Sequence, residues 1–190
     1  MERKKIINWV TIGAIIILSS IGQTMYRNGK FDDWMNDDFH LVSSEMNFDI
    51  LMPAEPEKIV SKEEGEGFVI ITSEYKSNMD SGKRLQLFVI EFLLDSSDSE
   101  IISKVQNQSI EEFKSNISKS VNSPLPFSEK RLFGDCTGSY YQIYAESHEV
   151  KFAYVTLKEK VYIYLEQTPS DKLGQKTDRF INSFIINEDN

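Results

Sequence analysis

The chain has one cysteine, Cys136, among 190 residues, so no intrachain disulfide can staple it. Its two histidines, His40 and His148, are far apart, and neither has an obvious Cys or Asp partner at metal or triad spacing. Phosphate-cradling glycine loops, GxSxG elbows, HExxH and CxxC are all missing. These absences leave no catalytic residue, no metal site and no cofactor to assign, so the chain does not read as an enzyme. Positive charge is scarce too: 21 Lys and Arg stand against 30 Asp and Glu, a net charge of −9. Setting aside Glu2, Arg3, Lys4 and Lys5, residues 27–190 carry 18 basic and 29 acidic groups, a net −11. Such a surface repels nucleic-acid phosphates, and no basic stripe offsets it.

One long run is present. Residues 6–26 (IINWVTIGAIIILSSIGQTMY) are twenty-one uncharged positions preceded by Arg3, Lys4 and Lys5. At about 1.5 Å per residue a helix of that length reaches roughly 32 Å, enough to cross a bilayer core. The basic flank favours a cytoplasmic N-terminus. Residues 1–26 are therefore expected to be a transmembrane anchor, placing the cell membrane on one side and a single-pass, extracytoplasmic domain beyond it. A cleaved signal peptide is the rival, with Ser20 and Gly22 as small residues before a cut at Gln23. Residues 27–45 read as an acidic juxtamembrane linker. Its Asp-Asp-Trp-Met-Asn-Asp-Asp run, 32–38, clusters carboxylates as a calcium loop does. Trp34 or Met35 nevertheless falls where a third ligand belongs, and Ser43 or Ser44 where the twelfth-position Glu is needed.

Residues 46–190 read as a single α+β domain. Short strands are expected at 48–52, stopped by Pro53 and Pro56, and at 58–61. A hairpin of 68–76 and 84–94 turns at Asp80-Ser81-Gly82. The second arm is apolar on both faces, with Leu85, Leu87 and Val89 against Phe88, Ile90 and Phe92, as in a central strand covered on each side. Ser97–Glu100 and Ser109–Glu112 have capping-box spacing, and the apolar phase breaks near 106–109. That predicts two consecutive helices, or one kinked helix, over 98–121, ended by Pro124 and Pro126. Strands at 127–133, 140–147, 150–157 and 161–167 follow, then a helix at 172–184 and a strand-like Ile185-Ile186. The expected fold is a central antiparallel sheet of five to seven strands with helices packed on both faces, preceded by the transmembrane helix.

The nearest thing to a site is the tyrosine-rich stretch 140–165, where Tyr141, Tyr154 and Tyr162 are candidates to line a ligand face. Tyrosines also suit pleated, half-buried surfaces and pair across strands for that reason alone. Cys136 lies between Gly134 and Gly138 at a strand start, with no adjacent Lys, Arg or His to activate it, and reads as structural.

The element order resembles the PsbP-like family of small extracytoplasmic domains, anchored or secreted in bacteria. The resemblance rests on Phe48-Asp49-Ile50-Leu51-Met52-Pro53-Ala54-Glu55-Pro56, Tyr75, the helix 109–120 and Phe180-Ile181-Asn182-Ser183-Phe184, over about residues 46–187. Gly134-Asp135-Cys136-Thr137-Gly138 departs from it by placing a Cys in the Gly-rich turn. The resemblance implies an antiparallel sheet with helices on both sides and transfers no active site. The functional expectation is a membrane-tethered interaction or accessory module without catalytic activity, working on a protein or envelope partner. The alternative is a small-ligand binding domain using the face of residues 140–165.

Overall fold

The computed structural model describes residues 40–44, 47–52, 54–65, 67–78, 82–94, 99–172 and 179–187. Seven strands form one antiparallel sheet: β3 (Glu57–Gly65), β4 (Phe68–Asn78), β5 (Arg84–Leu94), β6 (Glu129–Phe133), β7 (Cys136–Tyr144), β8 (His148–Leu157) and β9 (Lys160–Pro169). Their spatial order is β3-β4-β5-β9-β8-β7-β6. β1 (His40–Ser44), β2 (Phe48–Met52) and β10 (Ile185–Ile186) make a second, three-stranded sheet. The helices are α1 (Ser99–Val121) and the five-residue α2 (Arg179–Ser183).

The sheet is central because β5 is apolar on both faces. Phe88, Ile90 and Phe92 enter one core beneath α1, while Leu85, Leu87 and Val89 enter a second core beneath the small sheet. From α1 come Val105, Ile110, Phe113, Ile117 and Val121, and Phe113 meets Phe88 with ring centroids 5.3 Å apart. Each such buried side chain contributes about 1.5–3 kcal/mol of transfer free energy. On the other face β2 aims Phe48, Ile50 and Met52 inward, joined by Phe180, Ile181 and Phe184 from α2 and its end, and by Ile186.

The expected α+β fold, a sheet flanked by helices, is overturned: the molecule is mostly β, with α1 covering one face and a three-stranded sheet, joined only by the five-residue α2, covering the other. The reason lies in β2. It leaves the main sheet and pairs with β1 and β10 instead, so its buried alternate residues make it a lid strand. His40–Ser44, assigned to the linker from composition, becomes its partner. Among the described residues no helix is long and apolar enough to cross a membrane, and the expected transmembrane helix, residues 6–26, lies outside them together with the 32–38 run.

The helix 99–121 is continuous rather than split. Where the apolar phase breaks, Gln106 and Ser109 are buried polar residues with partners: Gln106 Nε2 donates to the Lys158 carbonyl at 2.7 Å, and Ser109 Oγ to that of Val105 at 3.1 Å. Ser109 is thus mid-helix and caps nothing. The C-terminus is a Schellman motif. Asn122 adopts φ 50°, and the Ser123 amide reaches the Ser118 carbonyl at 3.1 Å. The helix expected over 172–184 is observed at 179–183, after a 3₁₀ turn at Ser170–Lys172.

Candidate functional site

Strand alternation decides what happens to the tyrosines. Tyr141 on β7 and Tyr154 on β8 lie on the α1 face, with ring centroids 6.3 Å apart and nearly parallel planes. Phe152 lies 5.4 Å from the first and 6.0 Å from the second. Lys114 of α1 holds its ammonium 5.8 Å from the Tyr141 ring and 2.7 Å from Glu111 Oε1. Burial by itself lowers the Lys114 pKa, but Glu111 and Tyr141 outweigh it and the net shift is upward. Tyr141 is buried and Tyr154 half-buried. Tyr162 stands directly opposite Val155, one position along β8 from Tyr154, and so occupies the other face. It is fully buried there in the core that holds Cys136. Two of the three candidate tyrosines come together, and the thickness of the sheet separates the third.

Burial pushes the Tyr162 phenol up to about 12, with the neighbouring Cys136 and Glu91 adding to the shift. The unfolded chain ionises this group near pH 10, before the folded one does. Its stabilising effect is therefore complete below pH 10 and lost as the pH rises toward 12. The wild-type chain is expected to lose about 2–3 kcal/mol of unfolding free energy from this residue over that window. Urea titrations at pH 9 and pH 11.5, compared between wild type and Tyr162→Phe, check it: the variant should lose less. Equal losses would mean that the phenol is solvated.

A cluster that sequence reasoning missed lies at one end of the Tyr162 face. Lys83, just before β5, places Nζ 2.6 Å from Glu166 Oε1 and 4.6 Å from the centroid of the Phe180 ring. The Tyr164 hydroxyl donates to Glu166 Oε2. Lys151 sits opposite Glu166 in register, and Glu149, two residues away on the same face of β8, accepts from Gln142 Nε2. All four charged groups are buried: Lys83 at 4%, Lys151 at 1%, Glu149 at 3% and Glu166 at 0% exposure. The signal was present in the sequence, as charged residues at inward positions of otherwise apolar strands. The Lys83–Glu166 ion pair and the Lys83–Phe180 contact tie β9 and α2 together, so the arrangement is a polar clamp.

His148 Nδ1 lies 2.9 Å from Ser147 Oγ, and desolvation lowers its pKa. Cys136 is buried in the second core. Among the described residues no three His, Cys, Asp or Glu side chains are grouped to hold a metal.

Solvent meets a different feature at β6. This strand ends the seven-stranded sheet, so among the described residues one row of its backbone groups has no strand beside it. Phe127, two residues ahead of it, is fully exposed at 101%, and Leu132 is 70% exposed. Lys130 is exposed, with Nζ 3.4 Å from Ser139 Oγ, while Arg131 lies 5.1 Å from the Tyr140 ring and donates to Asn182 Oδ1 of α2.

No family model matches the chain, and no curated protein matches it. Among solved structures it is similar to the solution structure of cyanobacterial PsbP (CyanoP) from Synechocystis sp. PCC 6803, at 12% identity and a TM-score of 0.48. The match covers 84% of this chain and 98% of that one.

Proposed function

We propose that the chain is a non-catalytic accessory module, held outside the cell membrane by residues 6–26, that takes a protein partner along the β6 edge. The observation that carries this reading is the pairing of an open sheet edge with Phe127 and Leu132 in solvent. Aromatic and aliphatic side chains at that exposure, beside backbone groups that no described strand pairs, suit a segment that adds as an extra strand. With Glu129 beside them, Lys130 and Arg131 leave this strand one positive charge in excess on a chain of net −9, so an extended segment carrying acidic and apolar side chains fits it. The buried clamp supports the same reading, since it makes the scaffold rigid without supplying reactive groups.

The test is crosslinking and pull-down of the full chain from native membranes, with the double variant Phe127→Asp/Leu132→Asp beside wild type. Both side chains are exposed, so folding should be unchanged by circular dichroism. Partner recovery should fall at least tenfold, the effect of losing roughly 1.4 kcal/mol of contact. Undiminished recovery would remove β6 from the reading. Recovery of a bound small molecule instead, lost in Tyr154→Ala, would favour the ligand face of Tyr141 and Tyr154.

A further inference from the structure

The opposite edge of the sheet has different properties. β3 is nine residues long, where strands average about five or six. Ile59 and Val60 are 40% and 57% exposed on it. Natural edges are usually short, bulged or interrupted, because a long flat one invites another strand. Register fixes which backbone groups are available. Gly65 faces Phe68 across a two-residue turn, and such a turn closes on a hydrogen-bonded pair. Glu57, Ile59, Ser61, Glu63 and Gly65 thus direct their N–H and C=O groups toward β4. Lys58, Val60, Lys62 and Glu64 direct theirs outward.

We propose that β3 pairs antiparallel with β3 of a second copy of this chain about a two-fold axis at Ser61, joining two seven-stranded sheets into one. A two-fold axis normal to the sheet keeps each side chain on its own face, which restricts the registers. Three of them overlap over seven residues or more, centred on Val60, Ser61 or Lys62. Centring on Val60 sets Lys58 against Lys62 and Glu57 against Glu63, twice each. Centring on Lys62 sets that lysine against itself. Centring on Ser61 brings no like charges together and overlaps all nine residues. Lys58 then faces Glu64 of the second copy twice, Val60 faces the aliphatic stem of Lys62, and the small Ser61 lies on the axis. Every outward backbone group from Lys58 to Glu64 gains a partner. Within one strand Glu64 already pairs with Lys62, so in the dimer each Glu64 lies between two cations. Charges on an edge ordinarily block pairing; here their order makes them complementary to themselves.

The pairing is independent of the β6 reading and is tested on the full chain in native membranes. Ser61 would be a non-hydrogen-bonded pair with its copy, with Cα atoms about 4.5 Å apart. That spacing is within disulfide range. Under mild oxidant, Ser61→Cys should give a covalent dimer on non-reducing gels. Ile59→Cys is the control. In this register its copy is offset by four residues, about 13 Å along the strand, and it should stay monomeric. Wild type should do the same, because Cys136 is buried. Adding Lys58→Glu to Ser61→Cys should weaken dimerisation about tenfold, and adding Glu64→Lys as well should restore it. Equal crosslinking at positions 59 and 61, no crosslinking at 61, or failure of the exchanged charges to restore the dimer would each overturn the proposal.

Discussion

Glu166→Gln is expected to cost this domain about 3–5 kcal/mol, because it leaves the Lys83 ammonium buried without its counter-charge. Lys83 Nζ is 2.6 Å from the Glu166 carboxylate, with side-chain exposures of 6% and 0%. Lys151, 1% exposed, faces the same residue across the β8–β9 ladder. Glu166 is therefore the hub, and the two ends of the pair are not equivalent. Lys83→Met should cost less, since Glu166 keeps the Tyr164 hydroxyl and retains Lys151 opposite it. In the Glu166→Gln background, adding Lys83→Met should recover part of the loss, because it removes the stranded charge. Urea unfolding of the four chains, followed by circular dichroism, measures all three statements. A single-variant cost below about 1 kcal/mol for Glu166→Gln would mean that water reaches the clamp.

Gly134→Ala is expected to destabilise by about 2–4 kcal/mol and to loosen the small sheet first. Gly134 adopts φ 67°, which side chains tolerate poorly. A Cβ there would also lie 2.6 Å from the Ile186 carbonyl oxygen and 3.0 Å from its nitrogen. Backbone cannot move aside as a side-chain tip can. This residue bridges in parallel to Ile186, and the neighbouring Asp135 amide donates to the Ile186 carbonyl at 3.1 Å. The turn between β6 and β7 is thus where β10, and through it β2, is held to the main sheet. Hydrogen exchange should show early loss of protection at β2 and β10 in the variant while β5 and β9 keep theirs. Uniform loss across both sheets would mean that the two fold as one inseparable unit.

The main sheet was largely legible in the sequence. β4, β5, β8 and β9 appear at their expected places because period-two alternation and short turns are local signals, and the doubly apolar β5 announced a covered sheet. α1 was legible in extent but not in continuity: a break in apolar phase looks like a break in the helix unless Gln106 is known to reach the Lys158 carbonyl, 52 residues away. Two strands of the lid, Phe48–Met52 and Ile185–Ile186, were legible as strands, but their pairing was not. Phe48–Met52 reads the same whether it joins the large sheet or lies across it, and only pairing with His40–Ser44 and Ile185–Ile186 decides between them.

The tyrosines divide the same way. Alternation alone already puts Tyr141 on the opposite face from Tyr140 and Tyr144 on β7, but relating β7 to β8 and β9 requires the inter-strand register, a long-range quantity. That register gathers Tyr141 with Tyr154 and sends Tyr162 to the far core. Composition by itself determined the acidic character and, through the single cysteine, the lack of an intrachain disulfide, because these depend only on which residues exist. Tertiary structure decided which charges are buried together and which edges stay open, because burial and pairing are made by residues distant in the chain.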